Sequence, residues 1–182
     1  MTNIKKAIIT AVCISMCVVL PMAFHSIPMG GRIFLPIHIP VLICGLICGW
    51  PFGLLCGLAG PLLSYLLTSM PSIGDLPSMM VELAIYGVTA ALMLKFVHTK
   101  KVFADLYISL LTAMLLGRLV TGVVRTYIFA PGSYTMAIWA SAYFVESFPG
   151  MVIQVVLVPL VVVSLMNARL IPNRYPKGEA NG

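Results

Sequence analysis

Apolar residues run along this chain in stretches too long and too continuous for the one-sided faces of soluble helices. Six of them, at about 6–24, 38–49, 52–69, 79–97, 103–125 and 141–166, carry almost no charge. A helix needs about 20 mostly apolar residues to cross the roughly 30 Å of hydrocarbon in a bilayer. The pattern therefore predicts an all-α integral membrane protein: a compact bundle of six transmembrane helices over residues 1–170, followed by a polar tail over 171–182 that frays. The second stretch is short because Pro40 and Pro51 bracket it, and it is expected to begin as an extended or broken segment.

Composition agrees with the pattern. Of 182 residues, 60% are hydrophobic and 9% charged, against about 25% charged in a soluble domain. The mean hydropathy is +1.06. Too few charges are present to solvate a surface. The net charge of +6 would suggest nucleic acid in a soluble protein, but here the positive-inside rule accounts for it. With six spans and a cytoplasmic N-terminus, Lys5, Lys6, Lys95, Lys100, Lys101, Arg169, Arg174 and Lys177 fall inside, eight of the eleven cations. Both termini are thus expected in the cytoplasm, with the chain in the plasma membrane. The head MTNIKK is not followed by a small-residue cleavage site, so the first apolar run reads as a retained span.

The stretch PIHIPVLICGLICGWPFGLLCG, residues 36–57, holds glycines at 45, 49, 53 and 57 and prolines at 36, 40 and 51. Pro51 divides the glycines between two spans. GLICG and GLLCG then become close-packing arms on either side of a tight Trp50–Pro51 turn, because small residues let helices approach in lipid. The five cysteines, Cys13, Cys17, Cys44, Cys48 and Cys56, lie in apolar runs at helical spacing and read as packing residues.

An ionisable group inside a span is expensive and marks a functional candidate. Four are singled out: Glu82, Arg118, Arg125 and Glu146. Arg118 and Arg125, seven residues apart, share a helix face, and all four are expected to converge in the outer half of the bundle. They either line a polar cavity for a small zwitterion or anion, or pair with one another to hold helices together. Tyr86 follows Glu82 by one turn within its span. Gln154 either floors the cavity or acts as packing glue. His25 and His38 flank the first outer loop; Pro36 and Pro40 stiffen the backbone around His38, which either touches ligand or braces the loop. Phe24, Phe34, Tyr127, Phe129, Tyr134, Trp139, Tyr143 and Phe144 either stack on a flat ligand or form an interfacial belt.

No metal-ligand spacing, nucleophile elbow or phosphate-binding loop occurs in the sequence. No cofactor, metal or catalytic residue is therefore assigned, and an active transporter built on this chain draws energy from a partner or an ion gradient. Ala7-x-x-x-Ala11, followed by Ser15, places small residues on one face of the first span, a surface suited to a docking helix.

Six spans in about 180 residues, Ala7-x-x-x-Ala11, the loop entering LPIHIPVLICG, and GLLCGLAGPLLSYLLTSMPS with MVELAIYG after it together resemble the substrate-binding S components of energy-coupling factor (ECF) vitamin transporters. The resemblance implies a bacterial membrane subunit that captures one water-soluble vitamin or precursor near its outer face, with the first outer loop as a gate. It implies docking through Ala7, Ala11 and Ser15 onto a transmembrane scaffold subunit driven by two ATPase subunits. It places substrate contacts in the 32–38 and 70–79 loops and at Glu82, Arg125 and Glu146, to which the residues themselves add His38, Tyr86 and Arg118. Two arginines favour an anionic ligand such as pantothenate or niacin. The alternatives are a stand-alone proton- or ion-coupled carrier using Glu82 or Glu146, and a small intramembrane enzyme built on His38, Glu82 and Glu146.

Overall fold

The structure, a computed structural model, describes residues 1–24, 27, 29–129 and 135–175, with Met136 by its backbone alone. Among the described residues eight α-helices follow one another: α1 Asn3–Ala23, α2 Gly30–Phe34, α3 His38–Cys48, α4 Trp50–Thr68, α5 Leu76–Phe96, α6 Val102–Val124, α7 Met136–Ala140 and α8 Phe148–Asn167. π-helical turns extend α6 through Arg125–Phe129 and α7 through Ser141–Glu146. Six helical stretches among the described residues are long and apolar enough to span a membrane, with α2 and α3 together forming the second. His25 and Tyr134 lie outside the described residues.

The break expected at the start of the second span is present. Leu35 adopts a left-handed conformation, φ 50°, just before Pro36, and separates α2 from α3. The turn between α3 and α4 falls at Gly49, one residue before the Trp50–Pro51 pair. Its φ of 93° is open to glycine at little steric cost, and Pro51 then begins α4 where its missing N–H is harmless. The last span starts at Phe148, later than the hydropathy pattern suggests. Ser147 leaves the helical conformation there, and Pro149 sits in the first turn of α8.

α5 is the hub, packed against α3, α4 and α6. A Cβ on Gly45 would lie 2.5 Å from the Gly87 carbonyl oxygen, and one on Gly53 2.6 Å from the same atom. The two glycine arms therefore converge on a third glycine in α5, and backbone meets backbone. Thiols fill the neighbouring seam between α1, α3 and α4. All five cysteines are buried and unbridged; Cys17 Sγ lies 3.7 Å from the Ile37 carbonyl and Cys48 Sγ 3.6 Å from that of Lys6.

At the opposite end of α5 from Asp75, Asp105 is a fully buried carboxylate. It accepts from Thr99 N and Oγ1 (2.8 and 2.6 Å), Arg174 Nε (2.5 Å) and the Tyr175 hydroxyl (2.6 Å). Arg174 also donates to the Val97 carbonyl. These contacts, with burial of Ile171, pin residues 171–175 to the α5–α6 turn, so that part of the tail does not fray. Asp105 is a further buried ionisable residue within a span, beyond those singled out from the sequence.

Candidate functional site

α5 turns Glu82 and Tyr86 inward, one helical turn apart, and both are buried. The ring of Tyr86 occupies the space over Gly117 of α6, where a Cβ would collide with it. That fit brings Arg118 beside the phenol: Arg118 Nε donates to the Tyr86 hydroxyl at 3.0 Å, and Nη1 donates to Ser147 Oγ at 2.9 Å. Ser147 in turn donates to the Tyr143 carbonyl at 2.7 Å. The guanidinium also stands 5.6 Å from the Tyr143 ring centroid and 5.9 Å from that of Phe144.

Arg118 is 1% exposed, and both of its hydrogen-bond partners are neutral hydroxyls. Removing a guanidinium from water costs several kcal/mol unless a counter-charge restores it. Among the described residues no carboxylate comes within ion-pair distance of it. Glu82 instead faces His38, with Nε2 and Oε1 3.5 Å apart and both side chains buried. His38 meets Tyr86 edge-on at 5.4 Å between centroids. The Pro36–Pro40 segment thus delivers His38 into the bundle interior.

Several buried polar atoms near these groups have no partner. They are His38 Nδ1, Thr121 Oγ1 one turn beyond Arg118, and both amide atoms of Gln154, two turns beyond Ser147. Buried polar atoms in native proteins are nearly always hydrogen-bonded to protein, water or ligand. Open donors and acceptors in the interior, with a guanidinium held by two hydroxyls and the Glu82 carboxylate near enough to act on its charge, mark this polar cluster as the candidate binding site.

Above this group, Asp75 joins three segments. It accepts from Arg125 and, at 3.2 Å, from Arg32, and at 2.8 Å from Ser72. Burial raises the Asp75 carboxyl, but the bonds from Ser72 and Arg125 and the Arg125 charge outweigh it and hold the group below the usual carboxylate range.

The expected convergence of four ionisable residues is therefore only partial. Glu82 and Arg118 meet around Tyr86 with His38. Arg125 pairs with Asp75 instead: it lies two turns beyond Arg118 at the end of α6, as Asp75 lies two turns before Glu82 at the start of α5. Glu146 is exposed and makes no ion pair among the described residues. The helix break at Ser147 points the serine, not the glutamate, at Arg118, so no site contains His38, Glu82 and Glu146 together. Asp75, Thr121 and Ser147 were missed in the sequence. A serine directly before Phe–Pro, where α8 begins, was the available signal for Ser147.

The aromatic residues divide. Tyr127 and Phe129 are exposed, as in an interfacial belt, while Tyr143 and Phe144 face Arg118 and Trp139 donates to the Arg118 carbonyl at 3.2 Å. On α1, Ala7, Ala11 and Ser15 are all exposed. Ser15 Oγ bonds back to the Ala11 carbonyl at 3.0 Å, so the stripe presents little polar demand.

A six-span bundle with a buried polar cluster around Arg118, Tyr86, His38 and Glu82, and a charged cluster around Asp75, has the parts of a membrane protein that binds a solute. The model of one protein family, the ECF transporter, substrate-specific component, matches residues 5–170, and the chain belongs to that family. It is a substrate-binding subunit of a transporter. No curated protein and no solved structure matches it.

Proposed function

We propose that the chain captures a small water-soluble vitamin or precursor bearing a carboxylate, pantothenate and niacin being of the right chemistry. The observation that carries this reading is the buried Arg118, whose partners are all neutral. A ligand carboxylate pairs directly with the guanidinium, whose hydrogen bonds now go only to hydroxyls, and a bidentate approach gives direction as well as energy. Gln154, Thr121 and His38 bond the rest of the ligand, and Tyr143 and Phe144 pack its flat or apolar part. Glu82, held by His38, repels a second anionic group and so limits the ligand to one.

Both termini face the cytoplasm of a bacterial cell in this proposal, and the Asp75 latch closes the outer end of the cavity. Arg125 acts there, through Asp75, on entry and release. Ala7, Ala11 and Ser15 form the surface on which a transmembrane scaffold subunit, coupled to two ATPase subunits, docks.

Mass spectrometry of the small molecule that copurifies with the protein tests the ligand class directly. A carboxylate is expected; a purely cationic molecule would overturn the assignment. Arg118→Ala should weaken binding of that molecule by about 10- to 100-fold, the range for hydrogen bonds to a charged group.

The buried His38–Glu82 pair supports a second reading, proton-coupled transport by the isolated subunit. Uptake into liposomes holding this protein alone, driven by a pH gradient, would establish it. No uptake without ATPases is expected.

A further inference from the structure

A second cavity lies away from the polar site, on the membrane-facing side of the bundle. A groove of about 700 Å³ runs between α1 and α8 over α3, and Lys5 is its one charged lining residue. Its walls are side chains such as Val12, Met16, Ile43, Leu157 and Val161. The rings of Phe24 and Phe34, 5.0 Å between centroids, stand at one end. At the other end the groove meets a cup of about 460 Å³, with Lys5 and Ile171 lining both. Arg169, Asn173 and Thr2 complete the polar side of the cup, and among the described residues no acidic residue lines either space.

From Lys5 to Phe24 the groove follows about 28 Å of helix, the depth of a hydrocarbon layer. A partner helix of that length and 10–12 Å width occupies roughly 2,200–3,200 Å³, so it could rest on the rim but not enter. A flexible hydrocarbon chain enters. The apolar length and the cationic cup are joined at Lys5, which asks for one molecule with a long apolar tail and an anionic head.

We propose that this groove is a binding site for an anionic phospholipid, one acyl chain lying between α1 and α8 and the phosphate seated against Lys5 and Arg169. The site is separate from the solute cavity and from the Ala7–Ala11 stripe, which occupies a different face of α1. A lipid held there fills the gap between the first and last spans.

The test uses the full chain in nonionic detergent, stripped of lipid and titrated with palmitoyl-oleoyl-phosphatidylglycerol or the matching phosphatidylcholine, with native mass spectrometry as the readout. One phosphatidylglycerol per protein is expected, held about tenfold or more tightly than phosphatidylcholine, as two basic side chains near a lipid headgroup predict. Lys5→Gln with Arg169→Gln should bring the two lipids to equal affinity. Both residues are exposed, so folding does not depend on them. Val12→Trp with Leu157→Trp should block retention of both lipids while the far-UV circular dichroism is unchanged. Equal binding of the two lipids by the unaltered protein would overturn the proposal. So would a preference that survives the double charge substitution, or displacement of the lipid by millimolar inorganic phosphate, which would mark a site for free anions.

Discussion

Arg118 has left water and met two hydroxyls, whereas Asp75 stays half-exposed and collects two arginines. The first arrangement leaves a guanidinium hydrogen-bonded only to hydroxyls in the interior; the second satisfies a carboxylate with two cations at the loop end of α5. Their pH behaviour differs accordingly. The Asp75 carboxyl lies below the usual carboxylate range in the folded protein, so its stabilisation is complete above the unfolded value of about 3.9 and is lost as pH falls through the lower folded value. Release of bound ligand should therefore be constant from pH 7 to about pH 5 and accelerate only below about pH 4. Asp75→Asn should release ligand faster at neutral pH and lose that acid-side change, as stopped-flow dissociation would record. A rate that rises steadily between pH 7 and pH 5 would remove Asp75 from the latch.

Among the elements, α5 decides the packing. Hydropathy alone locates α3, α4 and α5, and the GLICG and GLLCG arms announce close approach. What they approach is Gly87, one glycine in an otherwise ordinary apolar span, and its partner role follows only from how α3 and α4 fold over it. Gly87→Ala improves helix propensity in isolation but drives a methyl into the Gly53 backbone. It should destabilise the bundle by about 1–3 kcal/mol, the usual range for overpacking, seen as a lower melting temperature in detergent. Gly74→Ala, with open space around its Cβ, serves as the control and should leave the melting temperature unchanged.

For the whole molecule, function requires a cavity that holds a solute and a surface that engages a partner, and the two are far apart on the chain. Ala7, Ala11 and Ser15 are exposed on α1, while the polar cluster lies among α3, α5, α6 and the start of α8. Ala7→Leu with Ala11→Leu should therefore abolish uptake by the complete transporter and leave ligand affinity of the isolated subunit unchanged. Transport that survives both substitutions would dismiss the docking surface. Pinning of residues 171–175 by Asp105 belongs to the same scale, since it ties the end of the chain to the α5–α6 turn across 70 residues of sequence.

The sequence by itself determined the class of molecule, the number of spans and which rare charges inside the spans to examine. Those are one-dimensional properties: an apolar run long enough for a bilayer, and a rare charge within it, are visible without knowing any neighbour. It likewise exposed Ala7-x-x-x-Ala11, because residues four apart share a helix face. The tertiary structure alone decided the partnerships. Whether Arg125 meets Glu82 or Asp75, and whether Ser147 or Glu146 faces Arg118, depends on the register of α5 against α6 and on a helix break that rotates side chains by a fraction of a turn. Hydropathy averages over such rotations, whereas hydrogen bonds and ion pairs, reaching only about 3–4 Å, depend on them entirely.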